Sequence, residues 1–222
     1  MLITLSGMDG SGKSTQIQLL KESLERDGST VRVRWLRPGY GPELDQARAA
    51  IRSLRPGAMP HREASDGQRA ARQQAFAKPG VRATWRRLAC ADALLQWGLK
   101  VRLELAAGRV VIADRWWEDA QLDLDFRFPD DHTASRTSVR TVSRLIPTPS
   151  HRFLLMVPPD VSAARCAQKD EPYPDDPTLR ERRYAAYQEM AKESDHVVVD
   201  ATASLEEVHH TICKVVGVAP CA

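Results

Sequence analysis

Cysteine is scarce: only Cys90, Cys166, Cys213 and Cys221 occur in 222 residues. Their spacings match neither a zinc pattern nor a C-x-x-C redox pair. A disulfide scaffold and a cysteine-based metal finger are therefore excluded, and reduced thiols in a cytosolic protein are expected. Aromatic residues make up 6% of the chain, too few for a stacking platform on single-stranded nucleic acid. The formal charge is +3, too small to mark a nucleic-acid binder by itself. No apolar run approaches the roughly 18 to 20 residues that span a bilayer. No basic leader precedes an apolar core, so the cytoplasm is the expected location, with no membrane partner. There is no internal repeat, no low-complexity tract and no obvious linker. Residues 1–222 read as one α/β domain.

What is present is strand-to-helix alternation. Residues 2–6 (LITLS) read as a strand, Lys13 to Arg26 as a helix stopped by Asp27-Gly28, and residues 30–36 as a second strand. Three further β-branched runs, 109–114, 151–157 and 196–200, have the character of strands buried on both faces. Helical stretches at 177–193 and 204–216 alternate with them, which argues for a parallel sheet covered on both sides. Residues 40–80 are helical in propensity but broken by prolines. Residues 81–107 form a long helical pattern with Leu88, Ala91, Leu95, Gly98, Val101 and Leu105 close to one face.

Gly7-Met8-Asp9-Gly10-Ser11-Gly12-Lys13-Ser14 fits G-x-x-x-x-G-K-[S/T] without a mismatch. The glycines allow tight turns that aim backbone N–H groups inward, and the following helix adds its N-terminal donors. Gly7, Gly10, Ser11, Gly12, Lys13, Ser14 and Thr15 are the expected ATP contacts. Lys13 is placed to reach the β- and γ-phosphates and Ser14 to hold Mg²⁺. Asp114-Arg115 closes the third strand, where ligands of such sheets bind. Asp114 can orient Mg²⁺ or an acceptor hydroxyl, and Arg115 is a fork donor suited to a second phosphate. Residues 52–87 carry eight Arg and one Lys against Glu63 and Asp66, with Trp85 between Arg82, Arg86 and Arg87. This is an anion-binding acceptor surface or a solvated helical face.

The order and spacing of five pieces resemble the thymidylate kinases, within the phosphate-loop nucleoside monophosphate kinases. The pieces are GMDGSGKSTQ, LRPG (36–39), GRVVIADRW (108–116), FLLMVPPDVSAAR (153–165), and LRERRYAAYQEMAKE followed by VVVDATASLEEVHHTI. The resemblance implies a three-layer phosphate-loop fold: a five-stranded parallel sheet, helices on both faces, and a lid at about 165–183. It implies transfer of the γ-phosphoryl group of MgATP to a small phosphorylated acceptor. A homodimer is a further expectation. The resemblance gives Asp9 a contact to the acceptor's sugar hydroxyl; Arg37, Arg86, Arg115, Trp116 and Asp119 are the further candidates around the acceptor. Some loops of the family carry Arg where this one has Gly10. Lid bases then have to supply that charge: Arg165, Lys169, Arg180, Arg182 or Arg183.

Two departures bear on specificity. The family's base-reading Arg falls on Ala93 of Leu88-Ala89-Cys90-Ala91-Asp92-Ala93, with no stacking aromatic in register. After Asp-Arg come Trp116-Trp117-Glu118-Asp119 instead of small polar residues. Such a pattern resembles a branch described only as thymidylate-kinase-like. Phosphoryl transfer survives these departures and thymine specificity does not. A phosphate-loop ATPase or switch acting through a protein partner, and a degenerate nucleotide-binding interaction protein, remain the alternatives.

Overall fold

The computed structural model describes residues 1–35, 76, 78–128, 140–169, 175–193 and 195–221. The region 40–80 lies almost wholly outside that set, as do Arg37 and residues 170–174 of the expected lid. The chain groups into two compact units. One comprises Met1–Trp35, Val101–Arg127 and Thr148–Ala222; the other comprises Leu36–Lys100 and Phe128–Pro147.

The first unit is built on a five-stranded parallel sheet in the order β2-β3-β1-β4-β5. The strands are β1 (Leu2–Gly7), β2 (Val31–Trp35), β3 (Val110–Asp114), β4 (His151–Met156) and β5 (Val197–Asp200). Helices cover both faces, giving the α/β three-layer fold of the phosphate-loop class. Every residue of β1 is buried, so it presents apolar or small side chains to both layers. Ile3, Leu5, Ile112, Phe153 and Leu155 form the middle of the core. Helix α1 (Lys13–Arg26) keeps the bounds read from the sequence and turns Ile17, Leu20 and Leu24 inward. From β1 the chain crosses to the edge strand β2, returns to β3 beside β1, and then passes β1 to β4 and β5, so β1 with its neighbours β3 and β4 brackets the switch point of the sheet. The carboxyl ends of strands at such a point form the usual ligand crevice.

The last helix, α7 (Leu205–Val216), shows how local sequence sets an element. Ser204 and Glu207 exchange side-chain bonds in a capping box, and Gly217 ends the helix at φ +83. Val208, Ile212 and Cys213 face inward.

In the second unit, α2 (Pro79–Ala93) runs into a π-helical stretch, Leu94–Lys100. Of the face read from the sequence, Gly98 and Val101 are buried, and the rest is corrected here. Ala91 and Leu95 are exposed; Trp85, Ala89, Ala93 and Trp97 are buried. These lie four residues apart, a row that drifts around a helix of 3.6 residues per turn. The wider turns of the π stretch, which begins at Leu94, offset that drift over the last step, from Ala93 to Trp97. Trp85 packs edge-on against Phe76 and Phe128 at ring separations of 5.8 and 5.9 Å. It is a core residue, not an aromatic rung of a nucleic-acid surface. The first unit resumes with α3 (Val101–Ala106), where Glu104 accepts from Arg34 and Arg109 at 2.5 Å each.

Candidate active site

The phosphate-loop sequence bends as its glycines allow. Gly7, Gly10 and Gly12 have φ of +141, +77 and +86. A Cβ on Gly7 would sit 2.4 Å from the Leu155 carbonyl oxygen. Gly12 enters α1 in the left-handed conformation, and no side chain caps the helix. Its first-turn N–H groups therefore point at the loop's concavity, as anion sites at helix starts require. Ser11 is buried, while Ser14 and Thr15 are exposed.

Lys13 folds back over the loop. Its Nζ donates to the carbonyls of Gly7 at 2.9 Å and Met8 at 2.7 Å. Burial, and then the nearby Arg115 charge, pull its pKa from 10.5 down to about 8, against the opposing pull of Asp9 and Asp114.

Helix α5 (Pro159–Gln168) braces the loop from outside. Ser162 Oγ donates to the Asp9 carbonyl at 2.7 Å, and Arg165 Nη1 donates to the Ala201 carbonyl at 2.8 Å and the Gly10 carbonyl at 3.4 Å. Arg165 is thus spent on backbone oxygens. Lys169 is exposed at the helix's end. The packing also accounts for Gly10. A Cβ there would meet the Ser162 carbonyl oxygen at 2.8 Å, at a φ that side chains disfavour. Gly10→Ala is expected to lower stability by about 2 kcal/mol, from backbone strain and overpacking together. Urea unfolding checks it; an unchanged midpoint would remove the steric account.

Asp114 and Arg115 arrive at the loop through sheet register, because Leu5 of β1 pairs with Asp114 of β3. Arg115 N donates to the Leu5 carbonyl at 3.0 Å. Arg115 has φ +70, the one positive value of a non-glycine among the described residues. Such strain persists where surroundings over-determine it, and it gathers at functional sites. The surroundings here are specific. Arg115 Nη2 donates to Asp9 Oδ1 at 2.5 Å, and Nη1 donates to the Tyr187 hydroxyl at 3.1 Å and the Gly7 carbonyl at 3.3 Å. Burial alone would raise the Asp9 carboxyl. Arg115, then Lys13 and Arg183, more than offset it and hold Asp9 below its usual range.

Burial pushes the Asp114 carboxyl up, against the pull of Lys13 and Arg115. Its Oδ1 is buried with no hydrogen-bond partner among the described residues. That acceptor and the exposed Ser14 hydroxyl are the kind of oxygen ligands a hydrated Mg²⁺ takes alongside phosphates.

The acids after Arg115 face the protein. Helix α4 (Trp117–Arg127) follows Trp116, whose N–H donates to Asp119 Oδ2 at 2.9 Å. Ser6 Oγ donates to the same oxygen at 2.6 Å, and the Tyr187 hydroxyl donates to Asp119 Oδ1 at 2.6 Å. Asp119, 3% exposed, therefore has its acceptor capacity engaged by three protein donors, and Trp116 is 2% exposed. The sequence points both at the acceptor; the structure turns both inward. One turn along, Asp123 accepts from Arg183 at 2.8 Å, and Asp175 takes the other side of that guanidinium at 2.7 Å. Asp119 and Asp123 thus meet Tyr187 and Arg183 of α6 (Pro177–Glu193) as two rungs between helices. Arg183 is 8% exposed and serves a rung. Arg182 lies over the Phe126 ring, and Arg180 bonds the Asp175 carbonyl. Arg86 belongs to the second unit. Tyr187, Ser6 and Ser162 carry no local sequence signal, and reading the chain alone passed them over.

No family model matches the chain. A curated protein described as a probable thymidylate kinase, from Pyrobaculum aerophilum, is 26% identical over 219 residues. The match covers 96% of this chain and 95% of that protein, so it is a likeness of whole chains and not of one shared motif.

Proposed function

We propose that this chain is an ATP-dependent phosphotransferase of the nucleoside monophosphate kinase type, acting on a (deoxy)nucleoside monophosphate or a related small acceptor. The observation that carries the reading is the Arg115–Asp9 contact. It joins the end of β3 to the phosphate loop, within reach of Lys13 and Asp114. The end-to-end likeness to a probable thymidylate kinase supports the same reading.

MgATP, when bound, supplies the transferable phosphoryl group and the cation that neutralises its oxygens. The loop N–H groups and Lys13 hold the phosphates, and Ser14 and Asp114 supply the protein oxygens for Mg²⁺. Asp9 meets an acceptor hydroxyl, and Arg115 offers its fork to the acceptor's phosphate. Transfer of this kind needs alignment and relief of charge more than covalent chemistry.

The test is ADP formation with dTMP, dUMP, UMP, CMP and sugar phosphates, each against a no-acceptor control. Acceptor-dependent turnover is expected, with dTMP at least tenfold worse in kcat/KM than the best acceptor. The position that the family resemblance assigns to base reading is Ala93, which carries no donor, and an unmet buried hydrogen bond costs about 1–3 kcal/mol. Turnover independent of every acceptor favours an ATPase or switch, and no turnover favours an interaction protein. If dTMP proves the best acceptor, the Ala93 argument fails.

A pH dependence follows from Lys13. The unfolded chain holds this proton up to about 10.5 and the folded, ligand-free chain only to about 8. Between those values the unfolded state binds more protons, so this group's contribution to stability grows as pH rises. Phosphate binding needs the ammonium, so ATP affinity should fall over the same window. Calorimetry at pH 8.5 in two buffers of different ionisation enthalpy should show proton uptake on ATP binding. No uptake would mean that the folded-back lysine keeps its charge.

A further inference from the structure

Tyr187 is wholly buried, yet its hydroxyl touches the two charged groups that the sequence marks at the end of β3 and in α4. It donates to Asp119 Oδ1 at 2.6 Å and accepts from Arg115 Nη1 at 3.1 Å. A phenol has one proton. With that proton given to Asp119, the oxygen presents a lone pair to Arg115. Burial, and then Asp119 beside it, push the hydroxyl well above its ordinary pKa, so the proton stays in place.

The arrangement has a consequence for Arg115. Asp119 Oδ1 lies 3.6 Å from Arg115 Nη1, too far for a direct hydrogen bond and near enough to attract the guanidinium. Asp119 itself is fixed by Ser6 and by the Trp116 N–H. The tyrosine oxygen therefore acts as a spacer. It satisfies Nη1 while holding the guanidinium off Asp119, which leaves Nη2 directed at Asp9, 2.5 Å away.

We propose that Tyr187 is a positioning residue whose hydroxyl, wedged between Arg115 and Asp119, holds the Arg115 guanidinium on Asp9 and so sets its placement toward the acceptor. This rests on the kinase reading for its functional consequence, though not for the placement itself. Without the hydroxyl, Arg115 and Asp119 are free to pair directly. The guanidinium then swings from the loop acid toward the start of α4.

The test is Tyr187→Phe, read in two ways. The first is acceptor kinetics: kcat/KM for the best acceptor should fall about tenfold, with the KM for ATP unchanged. The second needs no turnover. In ¹⁵N side-chain spectra of the ligand-free protein, the Arg115 amino signals, assigned by their loss in Arg115→Lys, should be split by hindered rotation. In Tyr187→Phe they should move to new chemical shifts, as the guanidinium passes from Asp9 to Asp119. Ser6→Ala is the comparator. It removes a hydrogen bond from the other oxygen of Asp119, and should lower Tm while leaving the Arg115 signals in place. Should Tyr187→Phe not fold, a difluorotyrosine at 187 keeps the shape and weakens the oxygen as an acceptor, and should shift the Arg115 signals. Unchanged Arg115 signals in the Tyr187 variants overturn the proposal, as do equal changes in Ser6→Ala. If the wild type shows no acceptor-dependent ADP formation, the kinase reading fails, and the spectra still decide whether Tyr187 positions Arg115.

Discussion

Lys13→Ala is expected to fold and to lose at least about a hundredfold in turnover, the scale seen when one transition-state donor is removed. The loss follows from where the charge sits. Lys13 is 7% exposed and lies across the loop mouth on the Gly7 and Met8 carbonyls. A phosphate arriving there offers a better partner than two neutral oxygens, and its demand grows as the γ-phosphoryl group departs. Stability should change little. Burial and then the Arg115 charge, net of the nearby acids, work against the ammonium by on the order of 3 kcal/mol, reading the fall from 10.5 to about 8 as free energy. Alanine relieves that cost, while two carbonyls lose their donor at about 1 kcal/mol each. The opposing effects leave a net change of about 1 kcal/mol. Circular dichroism and urea unfolding check the fold, and initial rates check the chemistry. A folded variant with near-normal turnover would sink the phosphate-loop mechanism.

Much of this architecture is local, and local patterns are readable. The span Lys13–Arg26, the Ser204–Glu207 cap and the buried runs of β1, β3 and β4 follow from short-range propensity, capping and hydrophobic continuity. The loop conformation follows from three glycines at fixed offsets. The network around Arg115 has no such signature. Asp119 finds Tyr187 at a separation of 68 residues and Asp123 finds Arg183 at 60. Nothing within a helix turn of either acid announces those partners, so acids that read as acceptor ligands turn out to join two helices. Tyr184 and Tyr187 sit three residues apart in one helix, yet only Tyr187 is fully buried. The difference comes from which side of α6 meets α4, a tertiary fact. The row Trp85, Ala89, Ala93, Trp97 follows an i, i+4 spacing of large and small residues, and only its last step, from Ala93 to Trp97, enters the π stretch that a strict α periodicity cannot register.

Arg115→Ala is expected to raise the acceptor KM, or lower kcat, by tenfold or more, with the KM for ATP changed less than about threefold. Three features converge on this. Arg115 donates to Asp9, the loop acid assigned to the acceptor. It carries the positive φ that a strained functional residue shows, a strain that alanine shares and glycine would relieve. Its side chain is 21% exposed, so one part of the guanidinium is held by protein while another remains open to a ligand. Its removal also leaves Asp9 without its nearest cation. The carboxyl pKa should then rise toward its ordinary value, with Lys13 and Arg183 still opposing burial. The acid limb of the pH–rate profile should move up with it, because Asp9 is functional as the carboxylate. Arg115→Lys should recover part of kcat, since it restores one charge without the fork. The decisive measurement is a paired titration of ATP and acceptor for each variant. If ATP affinity collapses while acceptor dependence stays at the wild-type level, Arg115 belongs to the donor side, and the Arg115–Asp9 contact serves the loop rather than the acceptor.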